Sequence, residues 1–239
     1  MFRMLGLLEN KKAVVKPTVY YGGVEGNPLN QLLRTEGLYT SLKKSLGDDQ
    51  PIFGCPVSNK VLAGMHVIYA PFDMLIRKQD GLFVMYNLTN GRQEDNTDTR
   101  NMPDDGYSQF LAGFVFFIAD SEVNLRMYPP FLHPDGITCG VIGEFDISKW
   151  FRGMSFAQWM GDKKEHSIKK GEPIAYFEFD RPVKLKRITF PMNCVAISAE
   201  CTGVKNQVPK MSMKGLYRNF VNANRLQAII KAVKDYNDV

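Results

Sequence analysis

Histidine and tryptophan are scarce in this chain, at three and two residues in 239. The motifs of familiar chemistry are missing as well: no GxxxxGK[ST] phosphate loop, strand-linked GxGxxG, HExxH or GxSxG occurs. That excludes the readily legible nucleoside triphosphatases, dinucleotide-binding dehydrogenases, zinc proteases and α/β-hydrolases. Cys55, Cys139, Cys194 and Cys201 form no CxxC pair, and the gap from Cys194 to Cys201 is too wide for a zinc knuckle. No stretch approaches the roughly 20 uninterrupted apolar residues of a membrane span. The start, Met1 to Leu8, is too short for a signal-peptide core and lacks a small-residue cleavage site. Reduced thiols in a cytoplasm, buried for structural reasons, are therefore expected.

What is present is an ordinary globular composition, with 44% hydrophobic and 23% charged residues. A chain of this length buries enough surface to fold without disulfides or metals. The formal net charge of +5 is a weak excess. Its basic clusters are short (Lys11-Lys12, Lys43-Lys44, Lys163-Lys164, Lys169-Lys170, and Lys184 with Lys186 and Arg187) and lie near acids or alternate with apolar residues. That is the pattern of a solvated surface more than of a nucleic-acid stripe.

Three regions follow from the patterning, and together they predict one domain. Residues 1–50 read as an arm. A strand is expected within Ala13–Tyr21, ended by Gly22-Gly23, and then one broken helix or two short ones through Leu29, Leu32, Leu33, Leu38, Leu42 and Leu46, interrupted at Gly37. Residues 51–191 read as strands: Met65–Ala70, Phe72–Lys78, Leu82–Asn87, Phe110–Ala119, Glu122–Tyr128, Thr138–Phe145, Pro173–Phe179 and Val183–Phe190. Gln79-Asp80-Gly81 is a hairpin signal, because Asp-Gly supplies the positive φ of a tight turn. Asn87–Gly106 is polar and aperiodic and reads as a loop. In Val183–Phe190 the alternation slips after Lys186, which predicts a bulge. Residues 192–239 read as a helical tail packed on the core, with Leu216, Phe220, Leu226, Ile229, Ile230 and Val233 on apolar faces. Strands first and helices last make the class mostly β or α+β, a stack of antiparallel ribbons.

Chemistry-bearing residues are few. His133-Pro134-Asp135 has the HxD spacing of an iron site, with His166 or Cys139 as the further ligand, but its proline and Gly136 favour an ordinary turn. His66, inside a strand, reads as packing. The densest segment is Gly143–Gly153, G-E-F-D-I-S-K-W-F-R-G. Asp146 or Ser148 can cap a short turn there, with Phe145, Ile147, Trp150 and Phe151 buried around it. Arg152 can clamp a phosphate or carboxylate through its planar fork. Alternatively the segment is an aromatic corner that plugs the end of a β-sandwich, and Trp150→Ala then costs about 3–5 kcal/mol. No metal or cofactor is expected.

Cys55-Pro56, Ala70-Pro71-Phe72-Asp73 with Arg77, Pro129-Pro130-Phe131, Gly143–Arg152 and Ile168-Lys169-Lys170-Gly171-Glu172-Pro173-Ile174 occur in that order. Over residues 52–236 this succession, with the tail around Leu216-Tyr217, resembles an uncharacterised family from tailed bacteriophages. The resemblance implies a phage origin and no assigned activity. A second similarity joins Gly140-Val141-Ile142, Trp150-Phe151-Arg152-Gly153 and Lys170–Ala175 to trimeric dUTPases. Gly143 stands there in place of the catalytic Asp and Tyr176 in place of the Gln. It implies an antiparallel sandwich of jelly-roll or β-clip type, and a nucleotide reading in which Arg152 holds phosphate and Glu144 or Asp146 holds magnesium or water. The expected function is a non-enzymatic binding or structural β-sandwich protein of the virion or the host cytoplasm, through Glu144, Asp146, Trp150 and Arg152. Its partner is a host or virion protein before nucleic acid, and a homo-oligomer is open to it. Nucleic-acid binding through Lys184, Lys186 and Arg187 ranks last.

Overall fold

A computed structural model describes residues 16–26, 34–79, 82–88, 92–93, 107–133, 143–159, 163–202 and 213–238. The parts of the early helix at 27–33, of the Asn87–Gly106 loop and of the strand expected from Thr138 that fall elsewhere lie outside the described residues. The described chain is mostly β, with helices between its second and third strands and again after its last, an α+β arrangement.

The strands form three sheets. The first, in the order β10-β7-β1-β13, holds β10 (Arg152–Trp159), β7 (Tyr107–Ala119), β1 (Thr18–Gly22) and β13 (Lys184–Arg187). Its pairings are antiparallel except for β1 with β13, which is parallel. The second holds β2 (Thr35–Gly37), β3 (Met65–Tyr69), β12 (Pro173–Phe179), β8 (Asn124–Tyr128) and β9 (Gly143–Asp146), all antiparallel. The third holds β11 (Glu165–Ile168), β4 (Met74–Gln79), β5 (Leu82–Asn87) and β6 (Arg92–Gln93). The β4–β5 register ends with Gln79 opposite Leu82; the turn expected at Asp80-Gly81 lies outside the described residues.

Side-chain alternation along these strands builds three cores. Val115, Phe117 and Ala119 of β7 turn inward to meet Leu125 and Met127 of β8, Ala175 and Phe177 of β12, and Met74 and Ile76 of β4. Phe117 and Phe177 touch edge to face, with centroids 5.2 Å apart, so the first two sheets pack directly on each other. Phe116 and Ile118, on the opposite face of β7, enter a second cluster with Cys194, Phe220, Ile229, Ile230 and Val233. These last belong to α3 (Met192–Thr202), α4 (Met213–Ala223) and α5 (Leu226–Asn237). On the outer face of the second sheet, Met65, Val67 and Tyr176 form a third cluster with Leu38 and Leu42 of α1 (Leu38–Leu46) and Leu62 of α2 (Pro56–Gly64). Both larger sheets are therefore buried on two sides over part of their area.

That double burial corrects one expectation. The β1–β13 register runs without a shift, so there is no bulge after Lys186. Leu185 packs toward the central core and Ile188 toward the helix-covered one. Unbroken alternation puts these two residues, three apart, on opposite faces of the sheet, and each face meets its own apolar cluster. Residues 35–37 are a strand and not part of a helix, 92–93 add a short strand where a loop was expected, and β10, β11 and α2 were not predicted, whereas α3 falls within the stretch expected to be helical from residue 192.

Candidate functional site

The bend at 143–153 consists of β9, a turn, and the start of β10. Asp146 organises the turn. Its Oδ1 accepts hydrogen bonds from the Ser148 N–H (3.1 Å) and hydroxyl (2.6 Å), and its Oδ2 lies 2.7 Å from the Lys149 ammonium. This is the cap expected of an Asp two residues before Ser. The Ile147 N–H donates to the Val123 carbonyl and the Ala119 N–H to the Ile147 carbonyl, which stitches the bend to the end of β7.

The aromatic corner forms, but a different residue fills it. Phe151 is fully buried in the second cluster, stacked on Phe116 at 5.1 Å and tilted on Phe190 at 5.1 Å. Ile147 is buried in the central core. Trp150 is half-buried, packed at the edge of the second cluster. Arg152 pairs with Phe117 across β10 and β7, and its side chain lies outside what the structure describes.

Glu144 points elsewhere. It is exposed opposite Arg126 of β8, with Oε2 2.9 Å from the guanidinium Nε. Arg126 also lies 3.7 Å from Glu178, whose Oε1 accepts the Tyr128 hydroxyl at 2.5 Å. Glu144 thus belongs to a cross-strand charge ladder and Asp146 to its own turn. Among the described residues, no group of three or more His, Cys, Asp or Glu is placed to hold a metal ion.

Lys184, Lys186 and Arg187 lie on β13, at the margin of the first sheet. Strand alternation sends Lys184 and Lys186 to one face and Arg187 to the other, so the three do not gather into one stripe. Lysine on a marginal strand discourages pairing with a second chain of the same kind.

Among the described residues, the largest polar constellation combines side chains that carry no shared sequence signal. Lys44 donates to Glu36; Tyr69 Oη lies 2.5 Å from Glu36 Oε1 and 2.6 Å from Ser41 Oγ. Ser41 Oγ lies 3.3 Å from His133 Nε2, and His133 Nδ1 meets the Tyr176 hydroxyl. The Leu132 N–H in turn donates to that hydroxyl at 3.3 Å. Each hydroxyl has a single proton, which orders the chain. Tyr69 must donate to the Glu36 carboxylate, so Ser41 donates to Tyr69, His133 donates through Nε2, and Tyr176 donates to Nδ1. Burial works against the charge on Glu36, yet the Lys44 and Tyr69 hydrogen bonds hold its carboxyl below the ordinary value. Burial, with Glu36 adding to it, pushes the Tyr69 phenol up, and burial takes Tyr176 to about 12. In this order the Ser41 proton goes to a phenol and not to the imidazole. The chain therefore clamps α1 and the 129–133 turn to the sheet, and it does not activate Ser41 as a nucleophile.

Two histidines are packed in the interior and the third belongs to the polar chain. His66 stacks on Phe177 at 5.0 Å, His166 is buried on β11, and His133 closes the chain above. Asp135 and Cys139, the partners weighed for His133, lie outside the described residues. Burial lowers the pKa of each histidine. The unfolded chain, titrating near the ordinary value of about 6.5, thus binds protons that the fold refuses. Stability is complete above that value and falls as pH drops through it toward the folded values. A melting series from about pH 8 to pH 5 is expected to show the midpoint falling with acid, with His66→Phe flattening the slope.

The thiols divide. Cys194 is buried and its pKa is pushed up to about 12 by burial. Cys55, expected to be buried, is half-exposed just before α2, where the Ser58 N–H and hydroxyl and the Val57 N–H lower its pKa. Cys139 is not described. No helix among the described residues is long and apolar enough to cross a membrane. Comparison of the chain with protein-family models, curated proteins and solved structures finds no match.

Proposed function

We propose that this chain is a bacteriophage protein that binds a host or virion protein, or builds the virion, without catalysing a reaction. Its frame is a β-sandwich of the jelly-roll or β-clip kind, to which the parallel β1–β13 pair is an addition. It acts in the host cytoplasm or the particle, with assembly into a homo-oligomer open to it. One observation carries the binding reading. Helix α2 displays Val57, 75% exposed, and Val61, 53% exposed, one turn apart on its outer side. Large aliphatic groups adjacent on a surface favour an interface. The nucleotide alternative asks Glu144 or Asp146 to hold magnesium or water, and Arg126, Ser148 and Lys149 already engage those carboxylates.

Mass spectrometry of purified particles, with and without Val57→Asp/Val61→Asp, tests this. The wild-type chain is expected in the particle or bound to a host protein, and the double variant is expected to fold yet lose that association. Retained association by the variant overturns the role of α2. A melting shift with dUTP or dCTP plus magnesium would overturn the non-enzymatic reading.

A further inference from the structure

We propose that the turn at 129–133 is a proton-operated latch: neutral His133 fastens it to the outer face of the second sheet, and protonation of the imidazole releases it. The device is separate from the exposed face of α2 and stands or falls independently of it.

Little ties this turn to the rest of the fold. Its backbone bonds close on themselves: the Phe131 N–H donates to the Pro129 carbonyl at 2.8 Å and the His133 N–H to the Pro130 carbonyl at 3.1 Å. Pro129 and Pro130 have no N–H with which to extend the β8 ladder. Among the described residues, the polar ties that leave the turn all end on Tyr176 or Ser41. The Leu132 N–H reaches the Tyr176 hydroxyl at 3.3 Å, His133 Nδ1 meets the same hydroxyl, and His133 Nε2 lies 3.3 Å from Ser41 Oγ. Tyr176 is a fixed post, fully buried on β12. Phe131, itself 57% exposed, leans edge to face on the Tyr176 ring at 5.3 Å, and Leu132 is only partly buried in the third cluster. The imidazole is therefore the main fastening.

Protons decide its state. In the closed latch the Tyr176 phenol donates to His133 Nδ1, and Nε2–H donates to Ser41. A second ring proton sets an N–H on Nδ1 against that phenol O–H. The phenol oxygen then meets Nδ1–H and the Leu132 N–H, and among the described residues no acceptor receives its own proton. A buried donor left unpaired is costly, and swinging the imidazolium into water avoids that cost. No free carboxylate among the described residues offsets it. Glu36 of β2 is engaged by Lys44 of α1 and Tyr69 of β3, and Glu178 of β12 by Tyr128 and Arg126 of β8. Lys43 of α1 pairs with Asp48, Cys55 is held at the start of α2 by Ser58, and Lys60 of α2 is exposed. His66 lies on the opposite face of β3, stacked on Phe177. Burial already disfavours the charged His133 ring. The latch is thus fully closed above the ordinary imidazole value of about 6.5 and opens as pH falls below it.

The test is ¹⁵N relaxation of the labelled full chain at about pH 8 and about pH 5, on either side of imidazole titration. The order parameters of the Phe131, Leu132 and His133 amides are expected to fall from about 0.85 to below about 0.6 in acid, while those of β3 and β12 hold. His133→Gln, which takes up no proton, should show no change between the two pH values. Tyr176→Phe keeps the buried ring and deletes the hydroxyl, so its turn should be loose at both. His66→Phe should leave the acid transition in place. Should Tyr176→Phe fail to fold, His133→Gln still decides. A turn that stays ordered in acid, a loosening that persists in His133→Gln or vanishes in His66→Phe, a Tyr176→Phe turn as ordered as the wild type, or loosening that takes β3 and β12 with it would each overturn the proposal.

Discussion

Gly22→Ala is expected to cost about 4 kcal/mol or more, a size reserved for substitutions that break a specific structural requirement. Gly22 is the last residue of β1, where the strand passes β13. Its φ is +156°, and a Cβ added there would lie 1.9 Å from the Ile188 carbonyl oxygen. That oxygen belongs to the backbone, so no rotamer change can relieve the overlap. Either β1 withdraws from β13 or the 188–190 segment shifts and carries Phe190, fully buried against Phe151 and Phe116, out of register. In a chain of this size the melting temperature should fall by about 8–16 °C for such a loss. Thermal unfolding by circular dichroism checks it. A variant melting within about 2 °C of wild type would mean that the two strands do not approach each other as closely as described.

Phe151→Ala is the second large effect, expected at about 3–5 kcal/mol. Its ring is fully buried where β7, the bend and the 190–194 segment converge, touching Phe116 and Phe190. Truncation removes the transfer energy of a large side chain and leaves a cavity that three strands and three helices cannot close together. Trp150→Ala is the informative partner, at about 2 kcal/mol, because a half-buried side chain has less transfer energy to lose. Chemical denaturation of both variants gives the comparison. An equal or reversed order would show that the indole, and not the phenyl ring, fills the corner. This inverts the expectation from sequence, where the larger aromatic was the natural choice of plug.

Where a strand is apolar and bounded by turn residues, the chain announces it. Leu82–Asn87 and Pro173–Phe179 occur at the ends expected, and the β-rich class follows from such runs. β10 and β11 were hidden because R-G-M-S-F-A-Q-W and E-H-S-I mix small and charged residues with few β-branched ones. They are strands because the neighbours β7 and β4 need partners, which is a tertiary reason. The start of α2 was legible in principle, since Pro56 follows Cys55 at the first helical position. For the candidate site, the Asp146 cap could be read locally because its partners lie two and three residues away. The Glu144–Arg126 pair and the chain from Glu36 through Ser41 and His133 to Tyr176 could not. Ser41 and His133 stand 92 residues apart, and only the folding of α1 over the second sheet brings them together.

The placement of β1 has a consequence for how the polypeptide reaches its native state. Thr18 hydrogen-bonds Asp120, 102 residues downstream, and on its other side β1 contacts a strand later still. During translation this early segment emerges from the ribosome with neither neighbour yet made. It has to wait while the hairpin of the third sheet forms locally. Such high contact order predicts slow, cooperative closure, with the first sheet completed only after Arg187 has left the exit tunnel. In the interval the exposed Val19 and Tyr20 segment is the stretch that a chaperone would have most reason to hold.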